Sequence, residues 1–199
     1  LAGWTGAFAV GSVSYVGGGD LTSDDLGNQF VVQNIAGSQT VRLVHAAFGQ
    51  RFLDNTMELV LGRLLASDDF GTGLVYCAAL NRGFCGPPFN TPNNVSMATF
   101  PFAVWGARLK TKPAPWFYAQ VGAYNAYGAF RSNRFHGVNF TIPDDSGVLV
   151  LAEAGYLMGS AAKTDGLPGT IKRGGSYDSE PLTNLATGLS HPNGTWGIY

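Results

Sequence analysis

Apolar residues recur at every second position along most of this chain, and the 3.6-residue rhythm of an amphipathic helix is hard to find. In residues 116–125, Phe117, Ala119, Val121 and Ala123 share one face, while Tyr118, Gln120, Gly122 and Tyr124 share the other. Residues 100–111 set Ala103, Trp105, Ala107 and Leu109 against Arg108 and Lys110, and residues 147–158 set Val148, Val150, Ala152, Ala154 and Tyr156 against Glu153. Residues 41–52 set Val44, Ala46 and Phe48 against His45, Gly49 and Arg51. The pattern predicts strands at 4–16, 41–52, 56–66, 100–111, 116–125, 147–158 and 168–178, with an eighth running from Gly194 to Tyr199. Most exceed the mean strand of a globular domain, about 5–6 residues, and match the 9–11 or so of a tilted bilayer crossing.

The connections between these strands are 24, 3, 33, 4, 21, 9 and 15 residues long, so long and short alternate without exception. The short ones carry Asp-Asn, Pro-Ala-Pro and Asp-Gly, which are turn formers, and the long ones are rich in Gly, Asn, Asp, Ser and Pro. A soluble sandwich has no reason to collect its long loops at one end, whereas an outer-membrane barrel has short periplasmic turns and long external loops. Two features disturb the pattern. Arg63 shares parity with Leu59 and Leu61 and so needs a bulge at Gly62 or a place at the interface. Residues 28–35 are too apolar for a bare loop and are expected to fold onto the barrel mouth.

Composition sharpens this reading. Charged residues are only 13% of the 199, aromatics also 13%, and 28 residues are glycine. Mean hydropathy is +0.07, yet no 18 consecutive apolar residues occur, which excludes a helical span and leaves a large buried β-core or a lipid-solvated barrel. A net charge of −1 gives no reason to expect nucleic acid as a partner. Aromatics near strand ends (Trp4, Tyr15, Phe52, Trp116, Tyr156 and Tyr177) suit interfacial girdles, though a soluble core would use them too. Cys77 and Cys85 have seven residues between them, a spacing wrong for redox or zinc motifs. A short structural disulfide formed in an oxidising compartment is the favoured reading, two free thiols the other.

Catalytic and cofactor chemistry finds little support. Gly17-Gly18-Gly19-Asp20 lacks the spacing and following helix of a phosphate cradle. The acidic pairs Asp24-Asp25, Asp68-Asp69 and Asp144-Asp145 sit in or beside loops, where solvated acids are ordinary, and His45, His136 and His191 have no metal-ligand spacing. No Gly-x-Ser-x-Gly elbow accompanies a histidine and an acid. No enzyme activity, cofactor or metal is expected.

A series of short strings resembles the carbohydrate-selective outer-membrane porins of the OprB type. They are Gly3-Trp4-Thr5-Gly6-Ala7, Leu61-Gly62-Arg63 with Asp68-Asp69-Phe70, Phe84-Cys85-Gly86-Pro87-Pro88, and Pro101-Phe102-Ala103-Val104-Trp105-Gly106-Ala107-Arg108. His136-Gly137, Glu153-Ala154-Gly155-Tyr156 and Leu167-Pro168-Gly169-Thr170-Ile171-Lys172 follow in the family's order. The family often carries an acidic residue near the position of His45. The resemblance implies an all-β, antiparallel up-and-down transmembrane barrel of about 16 strands, of which seven or eight lie in this chain. It implies that residues 1–199 are one partial barrel domain, cropped at both ends.

The functions expected from these readings are three. Foremost is an outer-membrane porin for passive diffusion of mono- or oligosaccharides, set in lipid and lipopolysaccharide and open to homo-oligomerisation. Such a channel needs groups that match sugar hydroxyls and aromatics that stack on pyranose faces. The candidate lumen groups are His45, Arg51, Glu58, Arg108, Lys110, Tyr118, Gln120, Tyr124, Glu153 and Lys172. Arg108 and Glu153, in the fourth and sixth predicted strands, are expected to point inward together and share a gap of roughly 10 Å. The alternatives are a complete eight-stranded barrel serving as adhesin or anchor, and a soluble β-sandwich lectin.

Overall fold

A computed structural model of the chain describes residues 3–27, 32, 40–73, 77–81, 84–86, 90–127, 135–183, 187–191 and 194–199. Residues 28–35 fall almost wholly outside this set. The strands are β1 (Ala7–Val16), β2 (Thr40–Phe52), β3 (Met57–Leu64), β4 (Val104–Ala114), β5 (Phe117–Ala126), β6 (Gly147–Met158), β7 (Gly169–Asp178), β8 (Leu182–Thr183), β9 (Ser190–His191) and β10 (Thr195–Ile198). All but β8 and β9, which form a small hairpin, belong to one sheet in the order β1-β2-β3-β4-β5-β6-β7-β10. Every pairing in it is antiparallel, as the expected meander requires, and joins strands that follow one another in sequence, except that β7 pairs with β10 past the β8–β9 hairpin. The described helices are single turns: α1 (Ala66–Asp69), α2 (Asn90–Asn94), a π-turn (Thr22–Leu26) and a 3-10 turn (Gly159–Ala162).

Local chemistry fixes the hairpins. Between β2 and β3, Leu53, Asp54 and Asn55 all take left-handed backbone (φ 50°, 52° and 67°), a conformation that Asp and Asn tolerate better than most residues. Between β4 and β5 only residues 115–116 intervene, because Ala114 already pairs with Phe117. These turns and the β6–β7 connection share one end of the sheet, and the long connections share the other.

Two faces result. On β6 exposure alternates from Val148 to Tyr156, with Leu149, Leu151, Glu153 and Gly155 buried. The bare face presents Leu61, Leu109, Val121, Val148, Val150, Ile171, Tyr177 and Ile198, all at least 36% exposed. Trp116 and Tyr156, with ring centroids 5.9 Å apart, mark its short-turn end, and exposed Tyr15 and Tyr177 mark the long-loop end. Arg173 is the bare-face exception; it sits four residues into β7, close enough to the short-turn end for its long side chain to reach an interface. The opposite face is covered by the chain itself. The described residues of the connection after β3 fold back so that Ala66, Phe70, Val95, Met97 and Ala98 pack on Val60, Val104, Tyr124, Leu149 and Leu151 at the long-loop end. Each buried Leu, Val or Phe there contributes about 1.5–3 kcal/mol. Cys77 and Cys85, in the same connection, are joined by a disulfide.

Two expectations change. Val44 does not lie on the bare face: the β1–β2 register shifts between Ser12 and Val13, so both Val44 and His45 turn to the covered side, and Val44 packs with Leu65 and Ala103. Arg63 acquires no bulge, since its register on β2 and β4 is continuous. It lies instead at the strand end, where Nη1 donates to the Asn139 carbonyl (2.9 Å) and Nη2 to that of Ala103 (2.5 Å). This is possible because residues 135–139 occupy the place beside β2 that β3 vacates, with the Leu43 N–H donating to the His136 carbonyl (2.9 Å).

Candidate functional site

The inward alternation of β2 to β7 sets a polar band across the middle of the covered face, and residues 68–72 run along it as a strap. The strap meets β2, β4, β5, β6 and β7 in turn. Asp68 accepts at 3.0 Å from His45 on β2, and Asp69 pairs at 3.1 Å with Arg108 on β4. The Asp69 carbonyl accepts from Gln120 Nε2 on β5 (2.7 Å). The Gly71 N–H donates to Glu153 on β6 (2.9 Å), and Lys172 on β7 donates to the Thr72 carbonyl. Even fully extended, five residues would span at most roughly 17 Å, and Asp68 and Asp69 lie in the turn of α1, while crossing from β2 to β7 at about 4.8 Å per strand takes roughly 24 Å. Long side chains make up the difference, which is why the wall supplies Arg, Gln, Glu and Lys at these positions.

Glu153 is the hub. Its side chain is wholly buried, and its Oε1 accepts from Tyr118 Oη (2.7 Å) and Gln120 Nε2 (3.1 Å). Its Oε2 accepts from the Gly71 N–H and Tyr199 Oη (3.0 Å), and the Lys172 ammonium stands 3.6 Å from Oε1. A second group links Glu58 to Arg108 (2.5 Å) and Arg51 (2.9 Å), with the Arg51 guanidinium over the Phe8 ring. Burial is the largest influence on Asp69 and raises its pKa despite the neighbouring Arg108.

Glycines make room for the band's aromatics. Tyr118 lies across its partner Gly155, where a Cβ would come within 2.1 Å of the ring, and Tyr124 lies across Gly106, where a Cβ would come within 2.5 Å. Flat rings keep the wall thin. Tyr124 is 1% exposed, wedged edge-on against Phe70 with centroids 6.2 Å apart.

The ten residues singled out from the sequence therefore all lie on the covered face but in different situations. His45, Arg108, Gln120, Glu153 and Lys172 hold the strap; Glu58 and Arg51 brace Arg108; Tyr118 buttresses Glu153; Tyr124 belongs to the loop core; and Lys110 lies over the Tyr118 ring at 5.2 Å. Arg108 and Glu153 share that face without meeting, each engaged by nearer partners. Sequence reasoning missed Asp69, Lys112 and Tyr199. Lys112 had a signal, since it continues the parity of Arg108 and Lys110. Ser12 Oγ, His45 Nδ1 (2.7 Å) and Asp68 form a hydrogen-bonded row, but Ser12 sits in mid-strand and not on the tight turn that exposes a nucleophile. The row acts as a strut between β1, β2 and α1.

A family model for the carbohydrate-selective porin, OprB family, matches residues 1–197. The chain is 27% identical over 198 residues to porin QuiX of Acinetobacter baylyi, covering 94% of this chain and 44% of that protein. It is 28% identical over 130 residues to Porin B of Pseudomonas aeruginosa, covering 62% of this chain and 28% of that one. The high-pH structure of Pseudomonas putida OprB superposes with a TM-score of 0.84 at 23% identity, over 99% of this chain and 50% of the other, which establishes the fold. This chain thus spans less than half the length of the two sequence relatives. Matched by the family model over nearly all of its residues, with a meander that overlays half of an OprB barrel, the chain belongs to the carbohydrate-selective OprB porin family, outer-membrane β-barrels of Gram-negative bacteria.

Proposed function

We propose that the protein carrying this chain is a water-filled outer-membrane channel for passive diffusion of mono- or oligosaccharides, and that residues 1–199 form part of the wall of its single barrel domain. The observation that carries this reading is the strap. A polar loop drawn across the inner wall by side chains from β2, β4, β5, β6 and β7 is a device for narrowing a pore to a selective width. The bare face supports it: apolar side chains between two aromatic borders suit lipid, with lipopolysaccharide at the long-loop end. Of the ten candidate lumen residues, those at the margin of the strap, Lys110 and Arg51 among them, are the ones we assign to sugar contact. Association into homo-oligomers would use the bare face. The eight-stranded anchor has less support, since β1 pairs with β2 and β10 with β7, and each is an edge of the sheet. Liposome swelling in isotonic glucose, with the whole protein reconstituted, tests the reading. Swelling no faster than that of empty liposomes would refute it.

A further inference from the structure

The strap divides the covered face into unlike halves. On its long-loop side lies the apolar core of the folded-back loop. On its short-turn side lies a cavity of about 260 Å³ whose wall includes Lys110, Lys112, Lys172, Tyr118, Thr170 and, from the strap, Asp69. That volume falls just below the range for drug-sized ligands, about 300–1,000 Å³, and suits one six-carbon unit.

The cavity carries excess positive charge. Asp69 is engaged by Arg108 at 3.1 Å, and Lys172 stands 3.6 Å from Glu153. Among the described residues, no carboxylate oxygen lies within 4 Å of the Lys110 or Lys112 ammonium. The remaining residues of the chain contain no Asp or Glu that could supply one. Lys110 and Lys112, alternate residues of β4 whose Cα atoms lie about 6.6 Å apart along the strand, thus both line the cavity. The rest of the lining is mixed: the Thr170 hydroxyl and the Asp69 carboxyl for hydroxyl groups, Leu157 and Tyr118 for carbon–hydrogen faces.

Resting on the channel reading above, we infer that this cavity is a subsite for sugar acids, in which Lys110 and Lys112 receive the carboxylate while Thr170 and Asp69 match the hydroxyls. The sugar acid is drawn to the wall beside the strap and passes more readily than the neutral sugar of equal size. The one opposing charge in the lining, Asp69, is already paired with Arg108 at 3.1 Å.

The test uses the whole protein in proteoliposomes, with efflux of labelled gluconate and labelled glucose measured at zero membrane potential. Glucose efflux from the unaltered protein above that of empty liposomes tests the channel reading alone, and its absence overturns that reading and this inference with it. Given glucose efflux, the gluconate-to-glucose ratio tests the subsite. In Lys112→Gln it is expected to fall about fivefold, the factor for one unit-charge contact through water, and Lys112→Arg should restore it. A ratio unchanged in Lys112→Gln overturns the subsite and leaves the channel. A loss equalled for acetate overturns the hydroxyl match, because a general anion effect needs no sugar. Should Lys112→Gln fail to assemble, Thr170→Val, which is expected to lower the gluconate-to-acetate ratio, decides in its place.

Discussion

Replacing Glu153 by Gln keeps the shape of the hub and removes its charge, so it isolates what the carboxylate does. Four donors converge on two oxygens: Tyr118 Oη and Gln120 Nε2 on Oε1, the Gly71 N–H and Tyr199 Oη on Oε2. An amide offers one oxygen and one NH2. With the NH2 on the Oε2 side it faces the Gly71 N–H, which has no lone pair. On the Oε1 side it faces the Gln120 NH2 and the Lys172 ammonium. The tyrosine hydroxyls can turn to accept, but in either orientation one N–H, that of Gly71 or the one Gln120 Nε2 aims at residue 153, is left without an acceptor, at about 1–3 kcal/mol. Loss of charge assistance on the surviving bonds and of the Lys172 partner brings the expected cost to about 3–5 kcal/mol. Urea unfolding of the whole protein in detergent micelles measures it as a fall in midpoint at unchanged slope. Because the Gly71 bond fastens the strap, single-channel recordings of Glu153→Gln should also be noisier. An unfolding free energy within about 0.5 kcal/mol of the parent, with quiet channels, would refute the reasoning that this carboxylate holds the loop to the wall.

Two further outcomes follow from the same geometry. Gly155→Val should expel the Tyr118 ring, which lies 2.1 Å from where the Cβ would stand, and cost about 1–3 kcal/mol of unfolding free energy, read from the urea midpoint and slope; Gly11→Ala, with nothing within 4 Å, should leave it unchanged. Burial raises the Asp69 pKa, so the folded state binds a proton more tightly than the unfolded one. Its stabilising contribution is then full below the ordinary carboxylate value of about 3.9 and is lost as pH rises through the raised one. Asp69→Asn should flatten that part of the midpoint-against-pH profile, and a profile identical to the parent's would contradict the assignment.

Strand positions were legible because the sheet imposes a period of two and lipid enforces it: Phe117 to Tyr124 and Val148 to Tyr156 alternate as read, to the residue. Where a single residue breaks that period, reading by parity fails. Val44 was assigned to the bare face since nothing local marks the shift between Ser12 and Val13, which exists only in how β1 and β2 pair. The near end of β4 was misjudged for a related reason. Residues 100–103 are apolar enough for a strand, yet they serve the folded-back loop, and the strand runs instead from Val104 to Ala114.

The strap itself is a relation between residues about 23 to 100 positions apart, and no window along the chain contains it. Yet the sequence held an indirect sign. Val60, Val104, Tyr124, Leu149 and Leu151 all lie on the side assigned to water, and all lie toward the long-loop end. A wet lumen has no use for such a cluster, so something apolar must cover it. The long connection after β3, with Ala66, Phe70, Val95 and Met97, is the segment next to it that carries matching surface. Once that loop is drawn inward, the charged residues below the cluster can no longer be counted as free lumen groups. They are the nearest partners for the loop's own polar atoms, and Lys110 and Lys112, which form no ion pair with it, are the ones the proposed subsite uses.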